Sequence, residues 1–216
     1  MVMVGSDLSG IELRMLAHYL ARYDGGKYAD ILLNGDIHAE NAAKIGISRR
    51  EVKTVTYAFL YGAGDKKIGT SFDGSLGEDQ AKRKGREIRK AYVDAIEGLS
   101  DLLKAVKRAA ERGFVSALDG RRLSVDKGHV ALNYLLQGSA AVIAKRWMIL
   151  ANENLNEHTH QLAFVHDELQ YETKPEYIDD LKFHLEWSAT RAGEYYKLRI
   201  PIAAESKSGK NWAEVH

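Results

Sequence analysis

The stretch QLAFVHDELQYE, residues 161–172, constrains the chain more than any other. Apolar and polar residues alternate on both sides of His166-Asp167, the period of two that a strand requires. The pair between the two runs is polar, so the segment reads as an antiparallel hairpin with His166 and Asp167 at its tip. A second strand signal, MVMVGSD, stands at residues 1–7, and LRIPIAAES near the other end is strand-like as well. Between them lie long stretches of helical periodicity. The order strand, many helices, hairpin, helix, strand makes the class α+β with a helical insertion.

The helices are marked locally. IELRMLAHYLARY carries Leu13, Leu16, Ala17 and Leu20 at helical spacing, which puts Asp7 at a strand-to-helix junction. Residues 36–44 and 48–61 read as helices, the second with Ser48 as N-cap and Glu51 three residues on as its capping-box partner. Residues 78–112 form two helices broken near Gly98, and LDGRRLSV makes a hairpin or tight turn on Asp119-Gly120. A long helix is expected from Val130 to about Leu155, with Asn133 and Gln137 one turn apart. Pro175 opens a last amphipathic helix that uses Leu181, Leu185 and Ala189.

At 216 residues the chain can bury a sizeable core. It has no cysteine, which excludes disulfides, thiolate metal sites and cysteine nucleophiles. No signal peptide or membrane-spanning apolar run is seen, and the expected location is cytoplasmic, in a bacterial or phage-infected cell. The net charge of +1 is unevenly spread: residues 1–150 hold 24 Lys and Arg against 18 Asp and Glu, residues 151–216 hold 7 against 12. The basic excess centres on AKRKGREIRK, residues 81–90, which is either a solvated helix face or a partner for a phosphate backbone.

Asp7 ends one strand and Asp167 sits at a hairpin tip, each near a second acid, Glu12 and Glu168. Singly, such acids are ordinary caps and turn residues. Converging at one sheet end, they suit Mg²⁺, which takes one or two carboxylates and completes its shell with phosphates and water. Two such ions can clamp the attacking and leaving oxygens of a phosphoryl displacement.

In RREVKTVTYAFLYGAG, residues 49–64, Arg49, Lys53 and Tyr57 recur every four residues and share a helix face. The two cations could hold a triphosphate and neutralise developing charge, Lys53 could protonate the departing pyrophosphate, and Tyr57 could stack on a nucleotide. The bland alternative is an aromatic stripe in the core with solvated cations. His166-Asp167 also occurs in metal phosphohydrolases, but His18, His38, His129, His158 and His160 make no ligand pattern, and no Gly-rich phosphate loop is present.

Taken in order, SDLSGIELR, RREVKTVTYAFLYGAG and FVHDELQYE resemble motifs A, B and C of the family A DNA polymerases, the phage replicative type more than the bacterial DNA polymerase I type. LNGDIHAENAA, LYGAGDKKIG, LDGRRLSV and ALNYLLQGSAA resemble the intervening segments, and NWAEVH is similar to phage members that close on a histidine near the active site. The resemblance implies a palm, a small antiparallel sheet with helices, carrying an inserted all-helical fingers subdomain: palm at 1–22 and 127–216, fingers at 23–126. It implies DNA-directed DNA polymerase activity with two Mg²⁺ ions, Mn²⁺ able to substitute, acting on primer-template DNA and dNTPs. Asp7, Asp167 and the Leu8 carbonyl would bind metal, with Glu168 in support and Glu12 as the gate against a ribose 2′-hydroxyl. His38, Arg49 and Lys53 would contact the triphosphate, Tyr57 the nucleoside with tolerance of dideoxynucleotides, and Tyr61 with Gly62 the templating base. Asn133, Gln137 and His166 would touch the minor groove of the primer-template. Leu8 and Gly10 stand where motif A commonly has Tyr and Gln, and His129 where many bacterial members have arginine.

Because Met1 nearly abuts the motif A strand, a second protein chain supplying thumb and upstream palm, with or without an exonuclease, is expected to pair with an open edge of that strand. The alternative is a non-catalytic DNA-binding or assembly subunit of a replication complex; a template-independent phosphohydrolase is a third reading.

Overall fold

The computed structural model describes residues 1–216. Strand β1 (Val2–Leu8) is followed by helices α1 (Ile11–Asp24), α2 (Lys27–Asn34), α3 (Ile37–Ile45), α4 (Arg49–Leu60), α5 (Asp65–Phe72), α6 (Glu78–Ala95) and α7 (Leu99–Ala110). The ribbon β2 (Phe114–Ser116) and β3 (Arg122–Ser124) leads into α8 (Ala131–Ala151), the hairpin β4 (His160–Val165) and β5 (Glu168–Thr173), α9 (Ile178–Tyr195), β6 (Ala204–Gly209) and α10 (Trp212–Val215). The chain forms two compact units, residues 1–15 with 137–216, and residues 16–136. The divisions fall inside α1 and α8. No helix is long and apolar enough to cross a membrane.

The first unit is built on a four-stranded antiparallel sheet in the order β4-β5-β1-β6. β1 is therefore central, hydrogen-bonded to β5 on one side and β6 on the other, and the expected open edge on β1 does not exist. The reason is topological: the last strand returns across the sheet to take that edge, which no local signal announces. Helix α9 packs on β1 and β6 with Leu181, Leu185 and Ala189, as its periodicity required. It begins at Ile178, behind a 3-10 turn opened by Pro175. Trp147 of α8 is fully buried, its indole N–H donating to the Leu185 carbonyl at 2.9 Å. Truncating so large a core side chain to alanine costs about 3–5 kcal/mol. Helix α8 stops at Ala151, short of Leu155, in a turn where Asn154 adopts φ 60°.

The second unit is helical apart from the β2–β3 ribbon, so the insertion is not all-helical; its turn lies where Asp119-Gly120 indicated. Ser48 caps α4, and both bonds of the capping box with Glu51 are present. Val52, Val55, Thr56, Phe59 and Leu60 bury one face of α4, leaving Arg49 and Lys53 exposed on the other. Helix α4 ends at Leu60, and Gly62 follows at φ 70°, a left-handed conformation that favours glycine.

Candidate active site

Strand register builds the acid cluster. Asp7 at the end of β1 lies opposite Glu168 of β5 and opposite Glu205 of β6, so three carboxylates form one cross-strand row. The Leu8 N–H donates to the Asp167 carbonyl at 3.0 Å, which ties the β4–β5 turn and the second aspartate to the end of β1. His166 at the tip has φ 55°, a conformation that costs a non-glycine residue about 1–3 kcal/mol and is usual where a site dictates the turn. Glu12, in the first turn of α1, contributes its charge to both aspartates.

A cleft of about 340 Å³ is lined by Asp7, His166, Asp167, Glu168, Glu205, Lys207 and His216, with Val165 and Val215 as its apolar part. Burial and then the neighbouring charges of Asp167 and Glu168 push the Asp7 carboxyl up to about 6. Burial and then Glu12 raise Asp167 as well. Repelling, oxygen-only donors of this kind fit a hard divalent cation, whose charge relieves the repulsion. No group of three or more His, Asp or Glu side chains is arranged to hold a metal ion by itself.

Glu168 is almost wholly buried and both its oxygens are engaged: one with the Gln170 amide N–H, the other with His216 Nδ1 at 2.8 Å. Helix α10, not anticipated from the sequence, delivers His216 to this place, and Lys207 donates to the His216 carbonyl at 3.3 Å. Gly5 makes the room: a Cβ there would lie 2.6 Å from the Val215 carbonyl oxygen and 2.7 Å from Gln170 Nε2. Glu205, Lys207 and Gln170 were not singled out by sequence reasoning, because only the pairing of β1 with β5 and β6 gathers them.

The helical unit presents a second group. Arg49 donates through Nε to Asp36 Oδ2 at 2.6 Å, and Asp36 also caps α3 through the N–H groups of His38 and Ala39. The Arg49 hydrogen bond and those backbone donors hold Asp36 below the usual carboxylate range. Asp36 escaped the sequence reading, although an aspartate just before a helix is an N-cap signal. Burial, and then the Arg49 charge, pushes His38 below its ordinary value. His38 Nδ1 is buried without a hydrogen-bond partner, and its ring stands 6.3 Å from that of Tyr57. Lys53 and Tyr61 are exposed, and Asn133 donates its amide to the Leu60 carbonyl at 3.1 Å, at the end of α4. Gln137, one turn on in α8, falls in the strand-built unit with Asp7, Leu8, Glu12, His166, Asp167 and Glu168.

Much of the basic run on α6 is neutralised in place: Lys82 pairs with Glu78 at 3.0 Å, Arg89 with Asp65 at 2.7 Å and Lys90 with Asp94. A larger cleft of about 420 Å³ beside α5 and α6 includes Arg83 and Lys84 but none of the residues singled out for chemistry.

The model of DNA polymerase family A matches residues 1–214. The chain is 34% identical to the DNA-directed DNA polymerases of Enterobacteria phage T3 and Escherichia phage T7, over 100% of its own length and 33% of theirs. It spans about a third of the length of these relatives. Among solved structures it is similar to the POL domain of Pol1 from M. smegmatis in complex with DNA primer-template and dNTP: 25% identity, TM-score 0.81, covering 100% of this chain and 40% of that one.

Proposed function

The chain belongs to DNA polymerase family A, and on that premise we propose that it carries the nucleotidyl-transfer centre of a DNA-directed DNA polymerase. The reaction is attack of a primer 3′-hydroxyl on the α-phosphate of a template-selected dNTP, with loss of pyrophosphate. One observation carries this reading: Asp7 and Asp167 come together at one sheet end with raised proton affinity, in a cleft. Asp7, Asp167 and the Leu8 carbonyl would hold two Mg²⁺ ions, or Mn²⁺ in their place. Bound there, the ions would supply charge neutralisation and activation of the attacking hydroxyl.

The protein's own groups do the rest. Glu12 excludes a ribose 2′-hydroxyl by bulk, and Glu168 supports the aspartates. Arg49, Lys53 and His38 bind the triphosphate, with Lys53 delivering a proton to the leaving pyrophosphate. Tyr57 stacks on the nucleoside and tolerates a dideoxy sugar. Tyr61 and Gly62 govern entry of the templating base. Asn133, Gln137 and His166 contact the minor groove, where acceptors recur on every base pair. The domain reading proposed with these roles is a palm at 1–22 and 127–216 and fingers at 23–126.

A separate chain bearing thumb and upstream palm remains part of the proposal, though β1 offers it no open edge; the sheet's own edges are β4 and β6. The test is template-directed primer extension with Mg²⁺, with and without polypeptides that carry the rest of the family's length. Extension that follows the template and disappears in Asp167→Asn is expected. DNA binding without extension in every combination would sink the enzyme reading in favour of a binding subunit, and template-independent dNTP hydrolysis would favour a phosphohydrolase.

A further inference from the structure

Gln170, which none of the roles above uses, lies directly beneath the acids. It stands two residues from Glu168 on β5, so both project from the same face of the sheet, and it is registered opposite Gly5 of β1. It is 1% exposed. Its amide nitrogen donates to Glu168 Oε1, while its amide oxygen is buried without a partner. An unsatisfied buried carbonyl costs stability that an apolar side chain of similar shape would not. What the amide supplies in return is one N–H aimed at Glu168. Gly5 makes room for the amide, since a Cβ there would sit 2.7 Å from Gln170 Nε2 and 2.6 Å from the Val215 carbonyl.

We propose that Gln170 is a positioning residue for the metal-dependent step, acting through Glu168. With one oxygen held by Gln170 and the other by His216 Nδ1 at 2.8 Å, the Glu168 carboxyl is fixed in place opposite Asp7. It is kept from turning into the cleft as a third, mobile carboxylate. The same lock sets where the His216 imidazole stands. A donor at 170 thus orders two groups that line the cleft, although Gln170 itself does not line it. The inference rests on the polymerase reading for its consequence in turnover, but the positional part has its own readout.

The experiment compares wild type with Gln170→Met, which keeps the volume and loses the donor, and Gln170→Glu, which keeps the shape and sets a second carboxyl against Glu168. In metal-free protein the His216 imidazole is followed by NMR, its signals assigned with His216→Ala. Both variants are expected to move those signals in the direction produced by Glu168→Gln. The melting temperature of Gln170→Met should be equal to or above that of wild type. In primer extension, with further polypeptides if wild type needs them, kcat should fall and half-saturating Mg²⁺ rise about 10-fold, while KM for dNTP stays unchanged. Unmoved His216 signals with an unchanged Mg²⁺ requirement would overturn the inference, as would an activity loss that merely follows a lowered melting temperature. No extension by wild type would overturn the polymerase reading instead, and the NMR comparison alone would then decide the lock.

Discussion

The two units hold their charges by opposite means. In the strand-built unit, Asp7, Glu168 and Glu205 are placed by backbone pairing, in a row that neither rotamer choice nor solvent sets. In the helical unit, Arg49 and Lys53 ride on an exposed face of α4, and Arg49 is steadied by one ion pair whose members are 58% and 42% exposed. The charge balance divides likewise: 10 basic against 14 acidic residues in the first unit, 21 against 16 in the second. Like charges forced together need a rigid frame and store repulsion that a cation can discharge. Cations meant for a polyphosphate need reach, and long side chains on one helix face supply it at little structural cost.

The sharpest way to break this contrast is Asp7→Asn. It should abolish primer extension by about a thousandfold or more, the scale on which charge-stabilising groups act, and yet stabilise the metal-free fold. The sign follows from proton binding. Asp7 sits at about 6 in the fold against 3.8 when free, so the folded state holds more protons in that window and stability falls as pH rises from about 4 to about 6. The carboxylate is more than half solvated, which reduces the effect at neutral pH to roughly 1 kcal/mol. Thermal melts in chelator from pH 4 to 7 should show that decline in wild type and a shallower one in Asp7→Asn; parallel curves would refute stored repulsion.

Gly5→Val tests the rigid frame. The added carbons meet the Val215 carbonyl and Gln170, so denaturant melts should show a loss of about 1–3 kcal/mol, with the His216 contact to Glu168 displaced. A variant as stable as wild type would mean that α10 does not press on β1. The smallest effect belongs to the helical unit. Asp36→Ala removes the α3 cap and the Arg49 partner together, and should lower the melting temperature less than Gly5→Val does. KM for dNTP should rise with kcat nearly unchanged, because Arg49 keeps its charge and loses only its anchor.

Local chemistry made much of this legible in advance. Serine followed three residues later by glutamate started α4 where expected, Gly98 separated α6 from α7, and the alternation around His166-Asp167 became β4 and β5. The polar Asp119-Gly120 turn likewise sits in the β2–β3 ribbon. Each rests on hydrogen bonds or steric limits that span a few residues, which a sequence displays directly. Asp36 was within reach of the same rules.

The remainder depends on partners far apart in the chain. Met3 pairs with Gly209 and Asp7 with Glu205 across nearly the full length of the sequence, and no short-range pattern specifies such a register. That pairing made β1 a central strand, recruited Glu205 and Lys207 to the cleft, and carried α10 and His216 onto Glu168. The sequence by itself determined which acids end strands and which cations share a helix turn, because backbone geometry repeats with fixed periods. Only the tertiary structure decided which of those acids meet, and that an amide at 170 would be buried beneath them, because strand order and burial are settled by packing across the whole sheet.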